Sequence, residues 1–207
     1  MTDGMTISGF DGFVGRISGS VMARLNRDME RGAIAELNPS PNDSVLAIGF
    51  GPGIGIELLA EVLPNGLVAG IDPSATMNEL ARRRNRWGID SGRIVLRNAS
   101  AEVIPWPDDI FDGIIATNSA QFWEPLDAAI EEVARVIRPG GSLVTITHAW
   151  AIEKVSPVPE WIETVSSLLA EREFSAISSR MRAFRSGRGL MLRATALGER
   201  TSGDALI

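Results

Sequence analysis

Apolar and polar positions alternate in blocks through the central part of the chain. Short apolar runs, typical of strands buried on both faces, are separated by stretches in which apolar residues recur at helical spacing. The runs predicted as strands are Val45–Ile48, Leu67–Ile71, Ile94–Leu96, Phe111–Ala116 and Ser142–Ile146, the last one or slightly longer. The helices predicted between them are about Gly55–Val62, Ser74–Trp87 and Pro125–Val136, and a turn is predicted at Gly88–Gly92. This alternation predicts an α/β fold with one doubly wound, mostly parallel sheet and helices on both faces.

The two ends of the chain carry different patterns. Residues 1–13 are rich in Gly, Ser and Thr and predict an arm, whereas residues 17–37 repeat an apolar position about every fourth residue. That spacing predicts one amphipathic helix or a broken pair. Near the other end, the extended runs Phe174–Phe184 and Gly189–Leu197 flank a short glycine turn at 185–188. Two such runs predict an antiparallel hairpin at one edge of the sheet.

The length and composition favour one domain with a full core. The chain has 207 residues, of which 44% are apolar, and this is enough to bury a sizeable core. We expect residues 1–37 to form an N-terminal arm and lid helix and residues 38–207 to form a Rossmann-like core. A segment near 157–169, predicted as part of a helix, is a second candidate for the lid, because a two-substrate site needs closing.

The composition also excludes several classes of function. The chain has no cysteine and one histidine, His148, so we expect no disulfide, no thiol chemistry and no transition-metal site. A net charge of −6 argues against a nucleic-acid binder. No apolar run reaches the length of a membrane span and residues 1–10 are polar. We therefore expect no membrane insertion, no signal peptide and a cytoplasmic location, with a homo-oligomer left open.

The C-terminal part of the chain departs from the overall negative charge. Residues 172–200 hold seven arginines against two glutamates, a local balance of +5. The pattern favours the solvated face of the predicted hairpin. The alternative is a contact surface for an acidic substrate or partner.

The segment that follows the first predicted strand carries the main candidate chemistry. Glycines stand at alternate positions 49, 51, 53 and 55, and a helix then begins. Glycine lets a ligand approach the backbone because no Cβ stands in the way, and the helix N-terminus offers free N–H groups to an anionic or polar group. Alone, such a turn is also consistent with a plain connection between a strand and a helix.

Polar residues follow other predicted strands at their carboxyl ends, where ligands bind in open α/β sheets. Asp72 closes the second strand, where its carboxylate can accept hydrogen bonds from both hydroxyls of a ribose or can cap the helix starting at Pro73. Ser100-Ala101-Glu102 follow the third strand and can contact an adenine edge. Asn118 follows the fourth strand, and His148 follows the fifth. Together these residues predict a nucleoside site.

Taken in order, these segments resemble a known family. The matching pieces are Val45–Gly53, Gly70–Ser74 with Met77, Ala101–Trp106, Phe111-Asp112 and Arg135–Gly141, and they cover roughly residues 17–197. Their order and spacing resemble the class I S-adenosylmethionine-dependent methyltransferases, in particular the small-molecule branch related to the ubiquinone/menaquinone-biosynthesis enzymes. The resemblance implies a seven-stranded sheet with a reversed last strand. It also implies S-adenosyl-L-methionine as cofactor and S-adenosyl-L-homocysteine as product.

The resemblance further implies which residues hold the cofactor. The glycine segment would line its methionine and ribose portion, and Asp72 would hold the ribose hydroxyls. Pro73 and Met77 would pack near the adenine, whereas Asn118 would lie beneath the methionine end. The implied cofactor-binding residues are Gly49, Phe50, Gly51, Gly53, Asp72, Pro73, Met77, Ser100, Ala101 and Asn118.

Two residues depart from the family pattern. Ala47 stands where the family usually has an acid that helps to place the cofactor's amino group. Ser100 stands where many members have an aspartate that accepts a hydrogen bond from the adenine amino group. A serine loses the charge-assisted part of that bond, about 1 kcal/mol. We expect the two departures together to weaken cofactor binding by roughly one or two orders of magnitude.

The acceptor side is less defined by the sequence. The resemblance implies methyl transfer by in-line displacement to a small organic acceptor, because Asn118–Gln121 lacks the Asn/Asp-Pro-Pro-aromatic element of amino-group methylases. Asn118 and Gln121 can orient a polar acceptor, and His148 is a candidate base beside a structural role. The aromatic residues Phe122, Trp123, Trp150 and Trp161 either offer an apolar surface or pack helices onto the sheet.

Two other functions stay open at this point. One is a cofactor-binding relative with little or no activity and a regulatory or interaction role, which Ala47 and Ser100 motivate. The other is a nicotinamide-dependent oxidoreductase. Its G-x-G-x-x-G fingerprint requires a glycine at Ile54, and the spacing here is G-x-G-x-G-x-G.

Overall fold

A seven-stranded sheet forms the centre of the protein in the computed structural model, which describes residues 26–198. The strands are β1 Ser44–Ile48, β2 Leu67–Ile71, β3 Ile94–Arg97, β4 Phe111–Thr117, β5 Ile137–His148, β6 Phe174–Phe184 and β7 Gly187–Ala196. Their order is β3-β2-β1-β4-β5-β7-β6. The first five are parallel, whereas β7 runs antiparallel to both β5 and β6. The predicted mostly parallel sheet with a C-terminal antiparallel hairpin is confirmed.

Helices cover both faces of this sheet. Residues 26–37 form the described part of α1. The others are α2 Ile54–Val62, α3 Ala75–Arg84, α4 Arg86–Asp90, α5 Leu126–Val136, α6 Ala149–Ile152 and α7 Val158–Glu171. Buried residues of α1, α2 and α3 form one hydrophobic cluster, and those of α5 and α7 form another on the opposite face. The arm predicted at 1–13 and the start of the helix predicted at 17–37 lie outside the described residues.

The alternation of side chains along β1 explains its continuous apolar run. Val45 and Ala47 belong to the cluster under α1 and α2, whereas Leu46 and Ile48 belong to the cluster under α5 and α7. Successive residues of a strand point to opposite faces, and here both faces are covered by helices. No helix among residues 26–198 has both the length and the apolar character to cross a membrane.

The described part of α1 is integral to the core. Met29 and Ala33 are fully buried, and a Cβ at Gly113 in β4 would lie 2.8 Å from Leu37 Cδ2. The glycine therefore lets the helix lie directly on the sheet. Arg180 and Arg193 of the hairpin bind the side-chain carboxylate and the backbone carbonyl of Glu36, respectively. Any lid role for this end of the chain remains a prediction.

Most of the C-terminal arginines lie on the surface of the hairpin. Arg182, Arg185 and Arg188 are exposed, as is Arg180 despite its pairing with α1. Arg193 is partly buried, and its Nη2 donates to Ser142 Oγ at 3.1 Å. The basic cluster therefore both faces solvent and ties β6 and β7 to their neighbours.

Two predicted boundaries differ from the structure near the third and sixth strands. The segment predicted as the turn Gly88–Gly92 begins within the short helix α4, where a Cβ on Gly88 would lie 2.3 Å from Ile94 Cδ1. The hairpin turn consists of Arg185 and Ser186, because pairing of β6 with β7 continues to Phe184 and Gly187.

The fifth strand is longer than predicted at both ends. It begins at Ile137, paired with Phe111, and an irregularity then accommodates the Pro139-Gly140-Gly141 segment before Ser142 pairs with Gly113. It ends at His148, which pairs with Gly189 of β7. His148 is therefore the last residue of β5 and not a loop residue after it, because pairing with the antiparallel hairpin extends the strand.

The loop between β3 and β4 is fastened to α5 by one arginine. Arg135 donates from Nε and Nη2 to the two carboxylate oxygens of Glu132 at 2.6 and 2.8 Å. It also donates to Ile104 O at 2.9 Å, Trp106 O at 2.8 Å and Asp108 Oδ1 at 2.7 Å. The hydrogen bonds from Arg135 lower the pKa of Glu132, since the ion pair favours the charged form of the carboxyl. The loop that carries Ser100 and Ala101 thus has a fixed position.

We expect Arg135→Ala to lower the free energy of unfolding by about 2 kcal/mol, because charged hydrogen bonds to two loop carbonyls are lost. Arg83→Ala is the matched control on an exposed ion pair with Glu79 and should cost less than about 0.5 kcal/mol. Urea denaturation followed by circular dichroism measures both. Equal losses in the two variants would contradict this account of the loop.

Candidate cofactor site

The loop after β1 is shaped by glycines in left-handed conformation. Gly49, Gly51 and Gly53 have φ values of 70°, 53° and 83°, which residues with a Cβ rarely adopt. A Cβ on Gly49 would lie 2.3 Å from the Cβ of Ser119, so the loop is closed toward β4. A Cβ on Gly51 would meet nothing within 4 Å. The loop therefore has an open side at Gly51, beside the point where the strand order reverses between β1 and β4.

Asp72 holds the open part of this loop to the end of β2. Its Oδ2 accepts from Gly51 N at 2.8 Å, and its Oδ1 accepts from Ser74 N at 2.9 Å. The residue is 7% exposed, and burial raises the pKa of its carboxyl while the two backbone hydrogen bonds act in the opposite direction. A carboxylate oxygen has more than one lone pair, so each oxygen can accept a further hydrogen bond from a ligand hydroxyl.

The helix after Asp72 is capped by its neighbour. The Oγ of Ser74 accepts from Met77 N at 3.3 Å, and α3 begins at Ala75. The predicted alternative of Asp72 as the cap of a helix starting at Pro73 is therefore wrong. The carboxylate of Asp72 is bound both to the glycine loop and to the N–H of Ser74, just before α3.

Asn85, which the sequence does not point to, and Ser119, which follows the fourth strand, fix the loop from outside. Asn85, buried at the end of α3, donates from Nδ2 to Gly53 O and to Ala81 O, both at 3.0 Å. Ser119 donates from Oγ to Ile48 O at 2.7 Å. These contacts join α3 and the end of β4 to the loop, and no local sequence signal marks Asn85.

The residues implied near the adenine lie along the β2 and β3 ends. Met77 and Ala101 are buried, Ser100 is partly buried and Pro73 is exposed. The two loops are joined because Asn98 Nδ2 donates to Pro73 O at 3.2 Å. The structure thus places the four residues implied near the adenine on two neighbouring segments.

Phe50 lies differently from the other residues of the glycine loop. Its side chain is 4% exposed and packs in the core, where a Cβ on Gly70 would lie 2.7 Å from Phe50 Cδ1. Only the backbone of Phe50 remains available to line the loop.

Asn118 and His148 form a hydrogen-bonded pair at the ends of β4 and β5. Asn118 Oδ1 accepts from the backbone N of His148 at 3.0 Å and lies 2.8 Å from His148 Nδ1. Because Oδ1 can only accept, Nδ1 carries the proton and Nε2, 2.9 Å from Ser186 Oγ, is the acceptor nitrogen. Burial lowers the pKa of His148, while the Ser186 backbone and the charge of Asp28 act against it. Burial of the ring thus favours its neutral form.

The four aromatic residues considered for an acceptor surface divide into two groups by exposure. Trp123 and Trp161 are each only 9% exposed and belong to the core, whereas Phe122 and Trp150 are 66% and 53% exposed. Gln121 is buried, and its Nε2 donates to Asn118 O at 3.0 Å. Gln121 thus supports the loop after β4, and Phe122 and Trp150 supply the exposed aromatic surface.

Comparison with known sequences is consistent with this arrangement. A family model described as a methyltransferase domain matches residues 46–145. The chain is 30% identical over 125 residues to an uncharacterized methyltransferase, YdaC, of Bacillus subtilis, covering 60% of this chain and 67% of that protein. It is 29% identical over 123 residues to the ubiquinone/menaquinone biosynthesis C-methyltransferase UbiE of Geotalea daltonii, covering 59% and 52%. The chain spans about half the length of this second relative.

The fold is also similar to that of solved structures. A crystal structure of an S-adenosylmethionine-dependent methyltransferase from Aquifex aeolicus matches with a TM-score of 0.71 and 18% sequence identity. The match covers 87% of this chain and 98% of that chain. With the sequence relatives and the loop geometry, it leads to one assignment: this chain belongs to the class I S-adenosylmethionine-dependent methyltransferases.

Proposed function

We propose that the protein transfers a methyl group from S-adenosylmethionine to a small organic acceptor by in-line displacement. The observation that carries the proposal is the carboxylate of Asp72, which is bound to the N–H of Gly51 beside the open side of the loop. The cofactor supplies a methyl group already activated on a sulfonium. The chain must therefore mainly bind, align the acceptor and exclude water.

The residues present fit a nucleoside cofactor. Asp72 offers lone pairs to ribose hydroxyls, and a Cβ on Gly51 would meet nothing, so a ligand can approach the backbone there. Met77 and Ala101 lie on the segments implied for the adenine, where their buried side chains give the site apolar walls. Within this proposal, Gly49, Gly53 and Asn118 lie at the methionine end, where β1 and β4 are adjacent.

A small organic acceptor is supported by the surroundings of Asn118. The Geotalea relative is named for C-methylation in ubiquinone and menaquinone biosynthesis. In this chain, the exposed Trp150 has its ring centre 5.7 Å from that of His148, and Phe122 is exposed four residues after Asn118. Such surface suits an apolar or planar acceptor. A cytoplasmic location and the lack of a nucleic-acid partner remain predictions.

His148 is the candidate base for an acceptor that must lose a proton. Asn118 fixes the tautomer so that Nε2 accepts, and Nε2 now accepts from the hydroxyl of Ser186. An acceptor hydroxyl that replaced Ser186 would meet a neutral imidazole able to take its proton.

One alternative function is supported by a specific observation. Ala47 is buried and carries no carboxylate, and Ser100 offers only a hydroxyl, so a relative with weak cofactor binding and little activity is the alternative. Calorimetry separates the possibilities. We expect S-adenosylmethionine and S-adenosylhomocysteine to bind and NAD not to bind. Failure of the first two at millimolar concentration would refute the proposal, and tight NAD binding would favour an oxidoreductase.

We expect Asp72→Ala to weaken S-adenosylhomocysteine binding about a hundredfold, because two hydrogen bonds to a charged acceptor are removed. Asp90→Ala, on an exposed ion pair with Arg86, is the control and should bind as the unaltered protein does. Titration calorimetry measures both. An unchanged affinity in Asp72→Ala, with its circular dichroism intact, would reject the ribose assignment.

We expect His148→Ala to retain S-adenosylhomocysteine binding and to lose methyl transfer by about a hundredfold or more, the size of a general-base contribution. Transfer of radiolabelled methyl to a panel of phenols, quinols and carboxylic acids measures turnover. Ser186→Ala should keep its turnover, because the acceptor takes the place of that hydroxyl. If His148→Ala remains fully active on the same acceptor, the histidine has no role as the base.

A further inference from the structure

The carboxylate of Glu30 lies between the end of β4 and the first turn of α2, the helix that follows the glycine loop. Thr117 Oγ1, at the end of β4, donates to Glu30 Oε2 at 3.0 Å. A Cβ at Gly55, in the first turn of α2, would lie 2.5 Å from the same oxygen and 2.9 Å from Glu30 Cδ. Glycine at position 55 is therefore what lets the carboxylate from α1 reach the N-terminus of α2.

This carboxylate has no cation bonded to it in the described part of the chain. The elements packed around it carry the charged groups Arg27 on α1, Glu57 on α2 and Arg84 on α3. Glu57 Oε2 lies 3.6 Å from Arg27 Nη1 and 3.3 Å from Arg84 Nη1, so these three are paired with one another. Burial raises the pKa of Glu30 to about 7, and the hydrogen bond from Thr117 acts in the opposite direction.

The position of Glu30 relates directly to the missing acid of β1. Ala47 pairs with Ile115 of β4, and Thr117 stands two residues farther along, so all three side chains lie on the same face of the sheet. Ala47 and Ile115 share a hydrophobic cluster with Met29 and Ala33 of α1. The helix therefore delivers a carboxylate to the face on which the family usually carries its acid at position 47.

We propose that Glu30 supplies, from α1, the carboxylate that holds the amino group of the cofactor's methionine portion, in place of the acid missing at Ala47. This assignment rests on the proposed function. It makes α1 part of the cofactor site, and it compensates for one of the two departures from the family pattern. A carboxylate without a bonded cation gains from a ligand that brings a positive charge.

The test compares two ligands that differ in the relevant group. S-adenosylhomocysteine carries the amino group, whereas 5′-methylthioadenosine shares the adenosine and thioether but lacks the amino-acid portion. We expect Glu30→Gln to weaken S-adenosylhomocysteine binding at least about tenfold and to leave 5′-methylthioadenosine unchanged, since a charged hydrogen bond is lost. Glu57→Gln is the control on the neighbouring ion pairs and should change neither ligand.

A restored acid strengthens the comparison. The double variant Glu30→Gln with Ala47→Glu should regain S-adenosylhomocysteine affinity relative to Glu30→Gln alone, if the two positions serve the same group. A merely structural Glu30 would instead lower the melting temperature of Glu30→Gln and affect both ligands equally. Equal binding of S-adenosylhomocysteine by Glu30→Gln and the unaltered protein would overturn the inference.

The unaltered protein provides a second measurement that needs no variant. The binding-competent form has Glu30 ionised, and the ionised fraction rises as pH rises toward and past its pKa. We therefore expect S-adenosylhomocysteine affinity to increase roughly tenfold from pH 5.5 to pH 7, where an α-amino group stays protonated. Titration of Asp72 would change the binding of 5′-methylthioadenosine as well, so the pH dependence of 5′-methylthioadenosine affinity is the reference. Parallel profiles for the two ligands would contradict the role of Glu30.

The two ligands also separate this inference from the proposed function. If the unaltered protein binds neither S-adenosylhomocysteine nor 5′-methylthioadenosine, the proposed function itself fails. If it binds both and only the Glu30 comparisons show no difference, the methyltransferase proposal stands and the assignment of Glu30 fails.

Discussion

The hydrogen bond from Gly51 N–H to the carboxylate of Asp72 is the contact on which the site depends. It ties the loop after β1 to the end of β2 across the parallel pair, and it aligns the buried acid with the open side of the loop. The left-handed glycines permit this path, since a Cβ at Gly49 or Gly53 would collide with Ser119 or Ala81. The rest of the sheet serves to keep these two strand ends in register.

The N-terminal helix is the second structural constraint. Its apolar side covers β1, β4 and β5, and Gly113 lets it come close to the sheet. In the same turn of helix, Met29 is fully buried and lies within 3.5 Å of polar atoms of Asn118 and Ser186, while Glu30 bonds to Thr117. Helix α1 thus contacts both the proposed acceptor side and the end of β4 next to the glycine loop. A change in the packing of α1 would therefore shift the contacts of Met29 with Asn118 and Ser186 and the contact of Glu30 with Thr117.

Much of the fold could be predicted because its signals are local. Apolar runs located the five parallel strands, and the turn at 185–186 lies inside the predicted hairpin connection. The glycine spacing and Asp72 likewise identified the candidate site before any coordinates. By contrast, the predicted end of β5 was too early, because its last residues are fixed by pairing with β7, whose position depends on the whole tail.

The remaining features depend on contacts between distant parts of the chain. Glu30 and Thr117 are 87 positions apart, and Asn85 reaches a loop 32 positions earlier. Neither shows a periodicity or motif that indicates its partner. Phe50 and Gln121 illustrate the reverse case, since both lie in expected site segments while their side chains are used for packing and loop support. The position of a residue in a motif predicts that its backbone lies near the site better than it predicts where its side chain points.

The most direct test of this account is a crystal structure of the protein with S-adenosylhomocysteine. The account predicts both ribose hydroxyls hydrogen-bonded to the carboxylate of Asp72, with the amino group hydrogen-bonded to Glu30. A ligand bound elsewhere, or one whose ribose has no contact with Asp72, would contradict it.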